Sequence, residues 1–259
     1  MFVKINDLVL QAKLQGNTNG TTLVFINSLG SGFVIWDEIV AKLESDYKIL
    51  RYNKRGHGLS ESSSSCSIAD HANDLLGLID HFKLERVILI GVSIGGMIAL
   101  EFASRFPTRV KAAIFCDTGT RIGTAESWNA RIEAVKTGGL ASIGSSVISR
   151  WFTPEFLATK TTEARGWTTM LTRTSKDGYV ASCEAIREAD LRSAAKTIKT
   201  PSLVLCGDQD LSTPPSLNQE LADDLDCTFE LIPNAGHLPC LEQPEIMTEK
   251  ILAFLEGLA

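Results

Sequence analysis

Val87-Ile88-Leu89-Ile90-Gly91-Val92-Ser93-Ile94-Gly95-Gly96 is the stretch that decides how this 259-residue chain folds. Its first four residues are apolar and mostly β-branched, the pattern of a strand covered on both faces in a parallel sheet. Met97 to Phe106 then reads as a helix with small residues on its packing face. Between them lies G-x-S-x-G, a strand-to-helix turn so tight that Ser93 must take a strained backbone conformation. Glycines on either side remove the Cβ atoms that would clash there. Such a turn lifts a serine hydroxyl clear of the sheet and sets the N–H of Ile94 beside it. A five-residue pattern also arises by chance, so the rest of the chain must supply a base, an acid and a second oxyanion donor.

Outward from this turn, strands and helices alternate. Met1 to Gly16 alternates apolar and polar residues around Asn6-Asp7, the signature of a hairpin. Thr22–Asn27, Tyr47–Tyr52, Val110–Cys116, Pro201–Cys206 and Phe229–Ile232 read as further strands. Phe33–Leu43, Ile68–Phe82 and Pro244–Leu255 read as helices. This order predicts an α/β fold with a doubly wound, mostly parallel sheet and helices on both faces. Ile122 to Lys196 breaks the alternation: it carries no strand-like run and holds Trp128, Trp151 and Trp167. It is expected to be a helical cap (122–196) inserted between two parts of one core (1–121 and 197–259). The cap carries ten Lys and Arg against eight Asp and Glu, whereas the whole chain has a net charge of −6. A mildly basic, tryptophan-rich lid over an acidic body suits a small anionic substrate.

Composition excludes several classes. With 44% hydrophobic and 22% charged residues, the chain has material for one sizeable core. The negative charge and the lack of a basic run argue against a nucleic-acid partner. No stretch approaches the roughly 18 apolar residues of a membrane span, and no basic-headed apolar leader begins the sequence. The six cysteines are scattered without a C-x-x-C pair, so free thiols and a cytoplasmic location are expected. The four histidines do not cluster with acids at ligand spacing, so neither a metal nor an organic cofactor is expected. A monomer or small homo-oligomer is anticipated.

Serine needs a neighbouring base, and histidine suits because it titrates near neutrality. His71 and His81 lie on the Ile68–Phe82 segment and read as surface or core-edge residues; His57 precedes the turn. His237, in Asn234-Ala235-Gly236-His237 just beyond the last strand, reaches the sheet edge where Ser93 sits and is the expected base. The acid should lie between them at a strand end. Asp210 is favoured, since four residues past its strand it can reach over to His237; Asp208 reads as a turn former, and Asp117 is a second choice. The loop after Thr22–Asn27 should offer the second oxyanion donor, the N–H of Leu29, to act with that of Ile94.

These motifs together resemble the α/β-hydrolases, and within them the 3-oxoadipate enol-lactonase family. Arg55-Gly56-His57-Gly58, Gly91 to Gly96, Gly207-Asp208-Gln209-Asp210 and Gly236-His237 carry the general likeness. Asn27-Ser28-Leu29-Gly30, Thr118 through Ile132, Arg150-Trp151-Phe152-Thr153, Gly178-Tyr179 and Cys183-Glu184-Ala185-Ile186 carry the narrower one. Two positions depart: Asn53 stands where an aspartate is common and Asp117 where an asparagine is usual. The resemblance implies hydrolysis of a five-membered enol-lactone bearing a carboxylate, with Ser93, His237 and Asp210 as nucleophile, base and acid. The carboxylate needs a cation. Trp128 and Arg131, three apart on one helix face, are expected to bind it beside Trp151, with Arg121 in reserve. A broad carboxylesterase or carbon–carbon bond hydrolase would share the same residues, and a non-catalytic receptor would keep only the shell.

Overall fold

The computed structural model describes residues 1–258. Eight strands form one sheet: β1 (Phe2–Ile5), β2 (Leu8–Gly16), β3 (Thr22–Ile26), β4 (Lys48–Tyr52), β5 (Val87–Val92), β6 (Val110–Cys116), β7 (Ser202–Gly207) and β8 (Thr228–Ile232). Their spatial order is β1-β2-β4-β3-β5-β6-β7-β8. The hairpin β1–β2 joins antiparallel to β4, and every other pairing is parallel. In β3 and β5 every residue is buried, as strands covered on both faces require. Parallel pairing puts the loops after β3, β5, β6, β7 and β8 on one edge. The strand order reverses between β3 and β5, so the loops holding Leu29 and Ser93 flank the crevice where this architecture binds ligands.

The helices outside the β6–β7 connection are α1 (Asp37–Leu43), α2 (Ile68–His81), α3 (Ile94–Arg105), α10 (Pro215–Leu225), α11 (Pro239–Glu242) and α12 (Pro244–Glu256). The amphipathic stretch read as one helix from Phe33 is in fact a 3₁₀ turn, Phe33–Trp36, leading into α1. Its inward residues do what a continuous helix would: Trp36 is buried and lies 5.1 Å from the Phe25 ring. Between β6 and β7 the chain is helical only, as α4 (Ala125–Gly138), α5 (Gly144–Trp151), α6 (Pro154–Thr159), α7 (Thr161–Thr172), α8 (Lys176–Glu188) and α9 (Arg192–Ala195). α8 crosses the turn after β4, where Gly178 meets Gly56 backbone to backbone, and a Cβ on either would collide. A second brace ties the start of α6 to the loop after β8. Glu242 accepts from the Thr153 N–H (2.9 Å), the Thr153 hydroxyl (2.7 Å) and the Gly236 N–H (2.6 Å). No helix among the described residues is long and apolar enough to cross a membrane.

Candidate active site

Ser93 sits between β5 and α3 with φ 61° and ψ −123°, a region that side chains of L-residues rarely occupy. The strain is held by packing. A Cβ on Gly91 would strike the Gly95 carbonyl, and one on Gly95 would strike the Ile26 carbonyl, so α3 closes directly onto β3 and β5. The Ser93 carbonyl accepts from the Thr118 hydroxyl (2.7 Å) and from the N–H groups of Gly96 (2.9 Å) and Met97 (3.2 Å). These bonds fix the bend so that the side chain points into a cavity of about 270 Å³. Ser28, Leu29, Trp128, Arg131, Trp151 and His237 share its wall with Ser93.

His237 is buried, and its Nδ1 lies 2.8 Å from Asp210 Oδ2. Asp210 is saturated with donors. Oδ1 accepts from the N–H groups of Ser212 (2.7 Å) and Thr213 (3.1 Å), and Oδ2 also accepts from the Thr213 hydroxyl (2.6 Å). Burial alone would raise this carboxyl, but the His237 imidazole and the Thr213 bonds outweigh it and hold the group below its ordinary value. With Nδ1 committed to Asp210, Nε2 is the ring nitrogen left for the cavity. Neither Ser93 Oγ nor His237 Nε2 has a hydrogen-bond partner among the described residues. In unliganded enzymes the nucleophile–base bond is often long and tightens on substrate binding.

The other two acids are placed differently. Asp208 accepts from the Ala235 N–H (3.2 Å) and so shapes the loop that carries His237. Asp117 is fully buried behind Asp210; its Oδ1 accepts from the Gly207 N–H (2.8 Å), while Oδ2 has no partner. Burial first, and then the Asp210 carboxylate, push its carboxyl well above the ordinary value. Asp117, Asp210 and His237 are the one group of at least three potential metal ligands within 4.8 Å of one another among the described residues. The donor set does not fit a metal, because the Asp210 oxygens are taken by four donors and His237 Nδ1 is spent on Asp210.

The buried Asp117 carboxyl yields a prediction with a definite sign. An acid whose native value is raised costs no stability below its unfolded value near 4. The cost grows as pH rises above that value, by about 1.4 kcal/mol per pH unit, until the native value is passed. Asp117→Asn keeps the acceptor for Gly207 and puts an amide donor where Oδ2 has no partner. It is expected to raise Tm at pH 7–8, to change it little near pH 4, and to keep kcat within a few-fold. An equal Tm change at both pH values would contradict this account.

The N–H groups of Leu29 and Ile94, the two expected oxyanion donors, make no internal hydrogen bond among the described residues. On α4, Trp128 Nε1 donates to the Ile122 carbonyl at 2.6 Å, which pins the indole. The Arg131 guanidinium lies 4.9 Å from the Trp128 ring centroid. Arg150, on α5, also lines the cavity, a role that the sequence reading missed. Neither arginine has a carboxylate within ion-pair distance among the described residues. Arg121, the reserve cation, is exposed and is not part of the wall. Tyr179, Ser127, Ser146, Ser212 and Thr213 complete the polar lining and were also missed, since hydroxyls scattered over four segments carry no spacing signal. His71 is not a surface or core-edge residue: it is buried, with Nε2 3.5 Å from Cys66 Sγ, while His81 is exposed. The inward face of α2 is wider than its apolar residues alone indicate.

The alpha/beta hydrolase fold family matches residues 21–136. Two relatives from Acinetobacter baylyi (strain ATCC 33305 / BD413 / ADP1) are 3-oxoadipate enol-lactonases 2 and 1, each 31% identical over 96% of this chain and 94% of their own length. Among solved structures, the enol-lactonase from Burkholderia xenovorans LB400 superposes with a TM-score of 0.96 at 32% identity, covering 99% of this chain and 100% of that one. The chain therefore belongs to the α/β-hydrolase family, as a hydrolase similar to the 3-oxoadipate enol-lactonases.

Proposed function

We propose that this protein hydrolyses a small enol-lactone bearing a carboxylate, of the 3-oxoadipate enol-lactone type, through an acyl-enzyme on Ser93. One observation carries the reading. A cavity of about 270 Å³ joins Ser93 and His237 to two guanidiniums that have no acid of their own among the described residues. That volume is below the roughly 300–1,000 Å³ of sites for drug-sized ligands. An unpaired guanidinium stacked on an indole offers a carboxylate two parallel N–H bonds and a flat apolar wall. The likeness to enol-lactonases over almost the whole chain supports the same substrate class.

In this reading Ser93 Oγ adds to the lactone carbonyl as its proton passes to His237 Nε2. The N–H groups of Leu29 and Ile94 hold the oxyanion. The ring C–O bond then breaks, and the enol oxygen leaves with the His237 proton, an easy departure because its charge delocalises. Water, deprotonated by His237, cleaves the ester to Ser93 and frees the second carboxylate. Turnover of 3-oxoadipate enol-lactone beside simple aryl esters tests the assignment. A kcat/KM for the lactone at least 100-fold above that for the esters is expected, and equal values would reassign the protein as a broad esterase. Arg131→Ala should raise KM for the lactone roughly 10- to 100-fold, the worth of one hydrogen bond to a charged group, with kcat little changed. Unchanged KM would remove Arg131 from the substrate site.

A further inference from the structure

The loop that carries the Leu29 N–H is short and buried, and Gly30 takes φ 75° beside it. Four donors converge on the Ser28 carbonyl. Three belong to the loop itself and would move with it: the Ser31 hydroxyl (2.9 Å), the Ser31 N–H (3.3 Å) and Asn27 Nδ2 (3.4 Å). The fourth, and the shortest, is Lys54 Nζ at 2.5 Å, from the turn after β4; Nζ also lies 3.4 Å from the Asn27 carbonyl. Lys54 is 0% exposed, and no carboxylate lies within ion-pair distance of it among the described residues. A lysine buried without an acid is costly, and burial pulls its ammonium well below the ordinary value. Packing alone does not call for such a residue where a leucine or methionine would fill the space.

We infer that Lys54 is a positioning residue of the oxyanion hole, tethering the Ser28–Leu29 peptide so that the Leu29 N–H faces Ser93. In a trans peptide the carbonyl and the next N–H lie in one plane and point in opposite directions. Lys54 does not line the cavity, whereas Ser28 and Leu29 do. A carbonyl drawn toward Lys54 therefore turns the Leu29 N–H into the cavity. A flipped peptide would present an oxygen to the developing oxyanion and repel it. Both protonation states of the amine serve, since even the neutral form has two N–H bonds for two carbonyls. Its neighbour reinforces the tether. His57 is buried, its Nδ1 lies 3.0 Å from the Arg55 carbonyl, and its Nε2 accepts from the Gly30 N–H at 2.9 Å. The Arg55 guanidinium holds this turn to α2 through paired 2.7 Å bonds to the buried Asp74. The Asn-Lys-Arg-Gly-His-Gly turn thus grips the oxyanion loop from behind at two points.

The inference rests on the hydrolase reading above, and the experiment separates the two. Lys54→Met keeps the length and apolar stem but removes every donor. With p-nitrophenyl acetate, kcat per folded molecule is expected to fall about 10- to 100-fold, part of the hundredfold to thousandfold typical of a lost oxyanion donor, while KM stays within twofold. Affinity for an aryl trifluoromethyl ketone should fall by the same factor. In that adduct Ser93 Oγ bonds to the carbonyl carbon, the Ser93 proton passes to His237, and the resulting oxyanion occupies the hole. A role in packing alone would lower Tm and leave both ratios untouched. If Lys54→Met does not fold, Lys54→Leu, which likewise has no donor, is read in the same way. A variant with kcat and ketone affinity within twofold of wild type overturns the positioning role. A wild-type protein that shows neither turnover nor an acyl burst overturns the hydrolase reading, and this inference with it.

Discussion

Replacing Ser93 with alanine is expected to lower kcat by about 10⁴- to 10⁶-fold and to abolish the burst of product from an activated ester. The magnitude follows from the geometry. Ser93 Oγ is the hydroxyl raised into the cavity by the bend at φ 61°, with the free N–H groups of Leu29 and Ile94 on the same edge. Stopped-flow release of p-nitrophenol and the mass of the acylated protein check this. A variant that keeps more than a tenth of kcat would place the nucleophile elsewhere. The same position separates chemistry from strain. Ser93→Gly should be equally inactive yet more stable, by on the order of 1 kcal/mol, because glycine adopts this conformation without the penalty that a Cβ incurs. A Ser93→Gly protein with a lower Tm than Ser93→Ala would show that the bend is not strained.

Asp210→Asn should lower kcat by about 10⁴-fold while leaving the fold intact. The reason lies in the donors around it. The N–H groups of Ser212 and Thr213 both bond Oδ1, so the amide oxygen of an asparagine must take that position. The amide NH₂ is then left facing His237 Nδ1, where Oδ2 now lies at 2.8 Å. An NH₂ there demands a lone pair on Nδ1 and so puts the ring proton on Nε2, which then cannot accept a proton from Ser93. The substitution also removes a pH-linked contribution. Because His237 and Thr213 hold the Asp210 carboxyl below its ordinary value, its contribution is present in full above the unfolded value near 4. It is lost as pH falls through the lower native value. The Tm gap between wild type and Asp210→Asn should therefore be widest at neutral pH and shrink in acid. A kcat within tenfold of wild type would assign the acid role to another residue. Asp117, the buried carboxyl behind it, would be the first to test.

The candidate site was legible in the sequence where local geometry and chain order act together. A glycine-flanked serine between an apolar run and a helix marks a tight turn whose sterics call for those glycines, and chain order then supplies its partners. Elimination among four histidines singles out His237 because parallel strands bring their C-terminal loops to one edge. Less was legible where position depends on which atoms meet. Asp117, Asp208 and Asp210 all follow strand ends, and spacing does not say which carboxylate lies 2.8 Å from the imidazole. Arg121, Arg131 and Arg150 are all cations of the connection between β6 and β7, and only packing shows which two line the cavity. His57, placed by the sequence only as preceding the Ser93 turn, accepts from the Gly30 N–H.

By itself the sequence determined the sheet, the glycine-flanked turn at Ser93 and the edge to which the strand-end loops come, because burial on two faces, turn sterics and parallel pairing act over a few residues or through simple order. Only the tertiary structure decided which acid faces the histidine, which arginines lack an acidic partner, and that a buried lysine donates to the Ser28 carbonyl. Those depend on contacts between segments 26 to 90 residues apart, such as Lys54 with Ser28, Asp210 with His237 and Asp117 with Gly207. Side-chain direction and distance settle such contacts, and neither is written in residue type or spacing.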